Sequence, residues 1–355
     1  MMPEQSITRL ECWRYSVPLR EPLTVSQGAH NVREGLLIKC VNAEGISGVG
    51  EIAPLSGLHK ETLWEAQEQV LSVLPRLIAG EALPPFLFPS VRCGLEMALQ
   101  SLEICISGAA PQIKLPLNAL VSGAKETLVS RAVAAVSEGY TTLKIKVGRH
   151  SVEDDIAHVR SVREAVGYSV PIRLDANRSW SLETALNLGE ALADCRIEYI
   201  EEPLNNPADI KDFVRKTGIR VALDEMLYSP DHAERERRLD VPDDVLAAYI
   251  LKPAIIGGIQ AATALAKEAA ERNLMAVVSS VFETGVALSF YAYLQTHWQN
   301  NVHNDRMIAC GLDTFKFLAD DVLTIPFAAQ QGLVSLPDVW AARNDIRYEM
   351  LTRLA

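Results

Sequence analysis

Six short apolar runs in the second half of the chain each end in a charged or hydroxylated cluster. The clusters recur every 23 to 29 residues, about the length of one βα unit. In order they are Lys144-Ile145-Lys146, Asp175-Ala176-Asn177, Glu201-Glu202-Pro203, Asp224-Glu225, Lys252-Pro253 and Ser279-Ser280. Parallel strands that close into a barrel present their carboxyl ends on one face, where barrel active sites lie. A lysine pair, three acids and another lysine at successive strand ends therefore predict an enzyme.

The segments between the clusters support that frame. Strand-like runs at 117–121, 143–147 and 172–174 alternate with helical patterns at 125–138, 152–166 and 181–193. Gly139 and Gly167 follow the first two helices, and Ser181 and Glu183 supply an N-cap and a first-turn acid for the third. Seven or eight such units run to about Leu312, which predicts an α/β fold, a (β/α)7β TIM-like barrel.

The first hundred residues read differently. Residues 6–17 and 33–42 have strand character, and Gly45, Gly48 and Gly50 mark a turn and a close backbone approach. Helical spacing follows at 62–74 and 91–107, where Leu95, Ala98, Leu99, Leu102 and Ile106 share a face. Strands then helices, without alternation, indicate an α+β domain. The expected division is an α+β domain at 1–112, the barrel at 113–318, and a segment at 319–355 that returns to the first domain. Residues 108–114, with Pro111, serve as the linker.

Composition narrows the partners. A net charge of −11 over 355 residues argues against nucleic acid and anionic membranes. No apolar run reaches the ~18 residues of a membrane span, and the N-terminus lacks the basic-then-apolar pattern of a signal peptide. The six cysteines show no C-x-x-C pairing and read as reduced, buried thiols of a cytoplasmic protein. A small-molecule carboxylate is the expected partner.

Within 141–147 the strand period of two places Leu143, Ile145 and Val147 on one face and Lys144 and Lys146 on the other. Barrel strands are buried on both faces, so two inward lysines need a task. Asp175, Glu201 and Asp224 each follow an apolar run, and three converging carboxylates need a cation among them. An all-oxygen set favours Mg²⁺ first and Mn²⁺ second. The alternative, helix caps or surface ion-pair partners, accounts for one acid but not for three in succession. Adjacent positions point to opposite faces, so Glu202 competes with Glu201; Glu201 is preferred as ligand, with Glu202 or Glu225 behind it.

Lys252 closes the run 248–253 and would face the side of a substrate opposite Lys146; standing alone it would read as a solvated lysine at a loop start. A lysine base must be neutral near pH 7, and for Lys146 both the Lys144 ammonium and a metal push in that direction.

With these residues the chain resembles the muconate-lactonising-enzyme subgroup of the enolase superfamily. That subgroup carries Lys-x-Lys on the second barrel strand, metal acids on the third to fifth and a lysine on the sixth, matched here by Lys144/Lys146, Asp175, Glu201, Asp224 and Lys252. Within it the chain is most similar to the o-succinylbenzoate synthases of menaquinone biosynthesis. The similarity lies in residues 50–57 (GEIAPLSG), Glu61-Thr62, Arg92-Cys93-Gly94-Leu95, residues 173–178 (RLDANR), Ser279-Ser280 and Gly311-Leu312-Asp313-Thr314.

The resemblance implies that the N-terminal α+β domain caps the barrel and supplies lid loops at 24–31 and 54–59, which otherwise read as surface turns. It implies a Mg²⁺-dependent syn dehydration of 2-succinyl-6-hydroxy-2,4-cyclohexadiene-1-carboxylate to 2-succinylbenzoate. Lys146 would remove and return the proton while Lys252 stabilises the anion. Lys144, Asn177, Arg173, Glu225, Ser279 and Ser280 are expected to support the site. Arg173 either pairs with an acid near the metal or, as preferred, braces the barrel. Ser279 and Ser280 either bind substrate or cap the next helix. The rival activity is N-succinylamino acid racemisation, which would use the same two lysines. The lack of an Asp-x-Asp near 311–314 counts against a dipeptide epimerase. A silent barrel that only binds an anionic metabolite would have little use for a base on each face.

Overall fold

A computed structural model describes residues 7–25, 28–107, 111–123, 125–229, 231–299 and 307–355. The chain opens with three antiparallel strands, β1 (Ile7–Val25), β2 (Gly28–Asn42) and β3 (Ser47–Ile52), followed by helices α1 (Leu63–Ile78) and α2 (Pro89–Ser107). Alternate strand residues Leu10, Cys12, Leu36, Ile38, Cys40 and Ile52 meet Val70, Leu74, Leu95, Ala98 and Leu102 of the helices in one apolar core. Gly48 and Gly50 are required by this packing, because a Cβ at either would run into the α2 backbone between Gly94 and Leu102. Thr62 caps α1 and closes a capping box with Glu65.

β1 and β2 extend beyond the expected strand limits. Residues 18–25 and 28–32 continue the ribbon past a register shift at Pro18/Leu23, where most of the described side chains are exposed on both faces and leave no alternation to read.

Strands β4 (Lys114–Pro116) and β5 (Ala119–Val121) lead into α3 (Lys125–Ser137), β6 (Leu143–Lys146), α4 (Val152–Val166), β7 (Ile172–Asp175) and α5 (Leu182–Ala191). Then come β8 (Ile197–Glu201), α6 (Ile210–Thr217), β9 (Val221–Leu223), α7 (Glu225–Tyr228) and α8 (His232–Asp240). β10 (Leu246–Leu251), α9 (Pro253–Ile256), α10 (Ile259–Glu271), β11 (Met275–Val278) and α11 (Gly285–Gln299) complete the alternation. β5 to β11 form one parallel sheet in chain order. Parallel bridges Leu117–Cys310 and Ser279–Gly311 place residues 310–311 between β11 and β5. That short eighth segment closes the barrel as (β/α)7β.

The tail makes two returns. β12 (Leu333–Ser335) pairs with β4, so Lys114, expected in the linker, belongs to a strand; residues 108–110 of that linker lie outside the described residues. After α12 (Leu336–Ala342), β13 (Thr352–Arg353) joins the edge of β1 in the N-terminal sheet. Among the described residues no helix is long and apolar enough to cross a membrane. All six cysteines are free, five of them buried.

Candidate active site

Register builds the site. Lys146, Asp175 and Glu201 are direct neighbours across β6, β7 and β8, and Lys144, Arg173 and Tyr199 form the layer two residues below. Period-two alternation aims both layers inward. β6 and β10 stand four positions apart in an eight-position barrel, so Lys146 and Lys252 enter from opposite sides. Between them is a cavity of about 550 Å³, lined by Lys144, Lys146, Asp175, Asn177, Glu225 and Lys252 on its polar side. Ser279, Ser280, Asp313 and Thr314 line it further round, and Leu23, Thr24 and Leu58 reach it from the N-terminal domain. Both expected lid loops thus contribute, although Ser26 and Gln27 lie outside the described residues.

Lys144 reaches up from the lower layer to Asp175 at 2.8 Å and Glu201 at 2.6 Å. Lys146 contacts the same Asp175 oxygen at 2.5 Å and Oδ1 of Asn177 at 2.9 Å. Lys252 is paired with Asp224. Burial opposes the charge on Lys144, but Asp175 and Glu201 more than offset it and raise its pKa. Lys252 is raised in the same way, chiefly by Asp224 and Glu201 against burial. Asp175 is buried too, yet the ammonium groups of Lys144 and Lys146 hold its pKa below the usual carboxylate range. Glu201 goes the other way, pushed up to about 8 by burial and by the charge of Asp175.

Oδ1 of Asp175, Oε1 of Glu201 and Oδ1 of Asp224 are buried without a hydrogen-bond partner among the described residues. Buried carboxylate oxygens without a partner are costly, and a hard divalent cation is the group whose chemistry satisfies them. Among the described residues no three acids, histidines or cysteines are already gathered into a cage; the cations between these acids are ammonium groups. The donor chemistry fits a divalent ion.

The choice between Glu201 and Glu202 is resolved by the backbone. Glu202, at φ 40°, turns away and accepts N–H bonds from Asp224 at 3.0 Å and Met226 at 2.8 Å while pairing with Arg178. Glu225 faces the cavity and accepts a 3.0 Å bond from Asn177, which thereby links it to Lys146. Arg173 is buried below the acids, bonded to Glu198 at 2.6 Å and to the Ala309 carbonyl at 2.7 Å, and it stacks on Tyr199. It braces the barrel and touches none of the three candidate ligands. Ser280 exchanges a 2.6 Å hydrogen bond with Thr314.

Neither serine caps the next helix, which corrects one alternative. The N-terminus of α11 is held instead by Glu51, through the N–H groups of Thr284 and Ala287, and by Asp321, through that of Gly285. Glu51 is one of three buried residues whose role sequence reasoning missed. Arg33 is the second, bonded to the carbonyls of Ala53, Pro54, Val281 and Phe282 and so tying lid to cavity wall. The third is His59. Strand character at 33, a family stretch at 51 and a turn at 59 say nothing of these contacts, because the barrel partner of each lies far along the chain.

Comparison with known proteins agrees with this architecture. A family model described as enolase C-terminal domain-like matches residues 127–340, and one described as the MenC N-terminal domain matches residues 7–102. An o-succinylbenzoate synthase of Yersinia enterocolitica is 33% identical over 79% of this chain and 84% of its own length. The chain belongs to the o-succinylbenzoate synthase family of the enolase superfamily. Another member of that family, from Pasteurella multocida, is 30% identical over 89% of this chain and 92% of its own. The chloroplastic protein PHYLLO of Arabidopsis thaliana is 31% identical over 82% of this chain, which spans only 20% of the plant protein.

Two solved structures share the fold. The L-Ala-D/L-Glu epimerase of Bacillus subtilis has a TM-score of 0.79 at 22% identity, covering 93% of this chain and 96% of that one. A dipeptide epimerase of Enterococcus faecalis, in complex with Mg and a dipeptide, has a TM-score of 0.73 at 20% identity, covering 93% and 99%.

Proposed function

We propose that this chain is an o-succinylbenzoate synthase, dehydrating 2-succinyl-6-hydroxy-2,4-cyclohexadiene-1-carboxylate to 2-succinylbenzoate. The observation that carries the reading is the placement of Lys146 and Lys252 on opposite sides of a cavity lined by Asp175, with Glu201 and Asp224 buried behind it on Lys144 and Lys252. The synthases among its relatives, which match both halves of the chain, supply the substrate.

Asp175, Glu201 and Asp224 are the residues to hold Mg²⁺, and Mn²⁺ would suit the same oxygens. The bound ion supplies the positive charge that makes a carbon acid beside a carboxylate ionisable. Lys146 takes the proton from the carbon α to the carboxylate, and the C–H electron pair delocalises onto the carboxylate oxygens as an enediolate. Lys252 holds the accumulating negative charge from the other side. The C–O bond then breaks, and the hydroxyl leaves as water with the proton that Lys146 returns. One lysine acts in both halves, so proton and hydroxyl depart from the same face. Asn177 holds Lys146 toward Asp175 and Glu225.

Residues 1–112, 113–318 and 319–355 are read as cap, barrel and returning segment. The substrate is a small carboxylate, and six free thiols suit a cytoplasmic protein. Lysines on both sides would also permit N-succinylamino acid racemisation, the one other reading that this geometry favours. Loss of cyclohexadiene absorbance with Mg²⁺ present tests the proposal, and a purified, folded protein without that activity would overturn it.

A further inference from the structure

Lys252 directly follows β10 and serves as the N-cap of the single-turn helix α9. Its carbonyl accepts the N–H groups of Ile255 and Ile256 at 3.0 Å each. The direction of its side chain therefore depends on how this one turn is held. A four-residue helix cannot use its own last carbonyls, and the carbonyl of Ala254 takes a partner from another part of the fold. That partner is Nε2 of His59 at 3.2 Å, contributed by the 54–59 lid loop.

His59 is buried, and its Nδ1 accepts the N–H of Leu55 at 3.0 Å within the lid. With Nδ1 accepting, the ring proton lies on Nε2, so the ring donates to Ala254. One neutral imidazole thus closes the lid turn on one side and grips the lysine-bearing turn on the other. Burial keeps it neutral, lowering its pKa to about 4 even though the charge of Glu61 opposes this and that of Arg33 assists. Around it Leu23 and Leu55 of the N-terminal domain pack with Ile255 and Val281, with Tyr228 and Phe282 alongside. Ile255, Val281 with Phe282, and Tyr228 follow Lys252, Ser280 and Asp224 respectively, so the apolar roof rests on three barrel segments that leave the site. Leu58, next to His59, lines the cavity.

We infer that His59 is a positioning residue for Lys252, fixing the lysine's turn to the lid that covers the substrate. The inference rests on the reading of Lys252 as the group opposite the base. A displacement of about 1 Å at a reacting centre can cost on the order of 10²-fold in rate, so a single lost anchor should register in kcat.

Two substitutions separate the two ends of the ring. In His59→Asn the amide oxygen takes the place of Nδ1 and keeps Leu55, but the side chain is too short to reach Ala254. In His59→Gln the amide nitrogen takes the place of Nε2 and keeps Ala254, but Leu55 loses its acceptor. His59→Asn should lose about tenfold in kcat, the worth of one hydrogen bond, with KM unchanged. His59→Gln should keep more of kcat whatever its thermal stability. Hydrogen exchange at the Ile255 and Ile256 amides should quicken about tenfold in His59→Asn and stay near wild type in His59→Gln. Losses of kcat that track melting temperature in both variants, or unchanged exchange in His59→Asn, would overturn the inference. If the wild type does not dehydrate the cyclohexadiene, the functional reading falls, and amide exchange still decides whether His59 holds the turn.

Discussion

The carboxylate of Glu51, on the N-terminal sheet, accepts both the N–H and the hydroxyl of Thr284, at 2.9 and 2.7 Å, across 233 positions of sequence. It also accepts from Ala287 N–H at 3.1 Å and from Tyr15 at 2.5 Å. A negative group at a helix N-terminus satisfies donors that the helix cannot satisfy and complements its dipole. The helix is α11, and the loop preceding it, with Val281 and Phe282, walls the cavity. Domain docking and cavity shape therefore share one buried anchor.

Glu51→Gln tests that anchor. An amide offers one oxygen and turns its NH₂ toward groups that are themselves donors. The expected loss is about 2 kcal/mol of unfolding free energy from the broken charge-assisted bonds, read by urea denaturation. A change within the scatter of neutral surface substitutions would show that the docking does not depend on this carboxylate.

Beside it, burial and the charge of Glu51 push Glu283 up to about 7, against the pull of Arg33. The folded protein therefore keeps a proton that the unfolded chain releases near pH 4.5. Stability must fall as pH rises from about 4.5 through about 7, then level off, by up to about 3 kcal/mol from this residue. Asp321, buried and raised to about 6, adds to the same fall in the lower part of the window. Denaturation of wild type and Glu283→Gln at pH 5 and pH 8 isolates the effect. The wild type should lose more stability between the two than the variant; parallel losses would refute the buried-proton account.

Metal removal follows from the orphaned oxygens of Asp175, Glu201 and Asp224. EDTA should abolish activity, and Mg²⁺ should restore it and raise the melting temperature. At a hundredfold excess over its dissociation constant the ion should add about 2.7 kcal/mol. Asp224→Asn should lose most of the Mg²⁺-dependent thermal shift. Full activity after chelation, or a strict need for Zn²⁺, would contradict the assignment.

Lys146→Ala should cost roughly 10²–10⁴-fold in kcat while the protein stays folded, because the general base is gone. Lys144→Ala should act differently: it strips the buried cation from Asp175 and Glu201, so stability should fall as well. A mild Lys146→Ala beside a fatal Lys144→Ala would reverse the roles along this strand.

What could be read from sequence was what local periodicity encodes. Lys146, Asp175 and Glu201 share a layer because period-two strands at βα spacing leave them no other arrangement. Glu201 is preferred over Glu202 from sequence, but what turns Glu202 away, one left-handed residue at the strand end, has no signature there. The contacts that Arg33, Glu51 and His59 make to the barrel left no signal because those partners lie 195 to 249 positions away. Such buried polar contacts have no period. The β1–β2 extension was hidden for the opposite reason, since exposure on both faces erases alternation.

Lys252 decides between the two chemistries that the site permits. A synthase needs only its positive charge, whereas a racemase needs it to carry a proton to or from the second face. Arginine keeps the charge and cannot serve as a base, and the pairing with Asp224 gives the guanidinium an acceptor. Lys252→Arg should therefore keep more dehydration activity than Lys252→Ala, although the larger head will displace the ring somewhat. In D₂O the wild type should exchange the α-proton of N-succinylamino acids slowly beside the rate of dehydration. Any exchange of the enantiomer served by this side should vanish in Lys252→Arg. Rapid exchange of both enantiomers, at a kcat/KM above that for dehydration, would transfer the assignment to a racemase. The barrel, the three acids and the opposed lysines would be unchanged by that outcome.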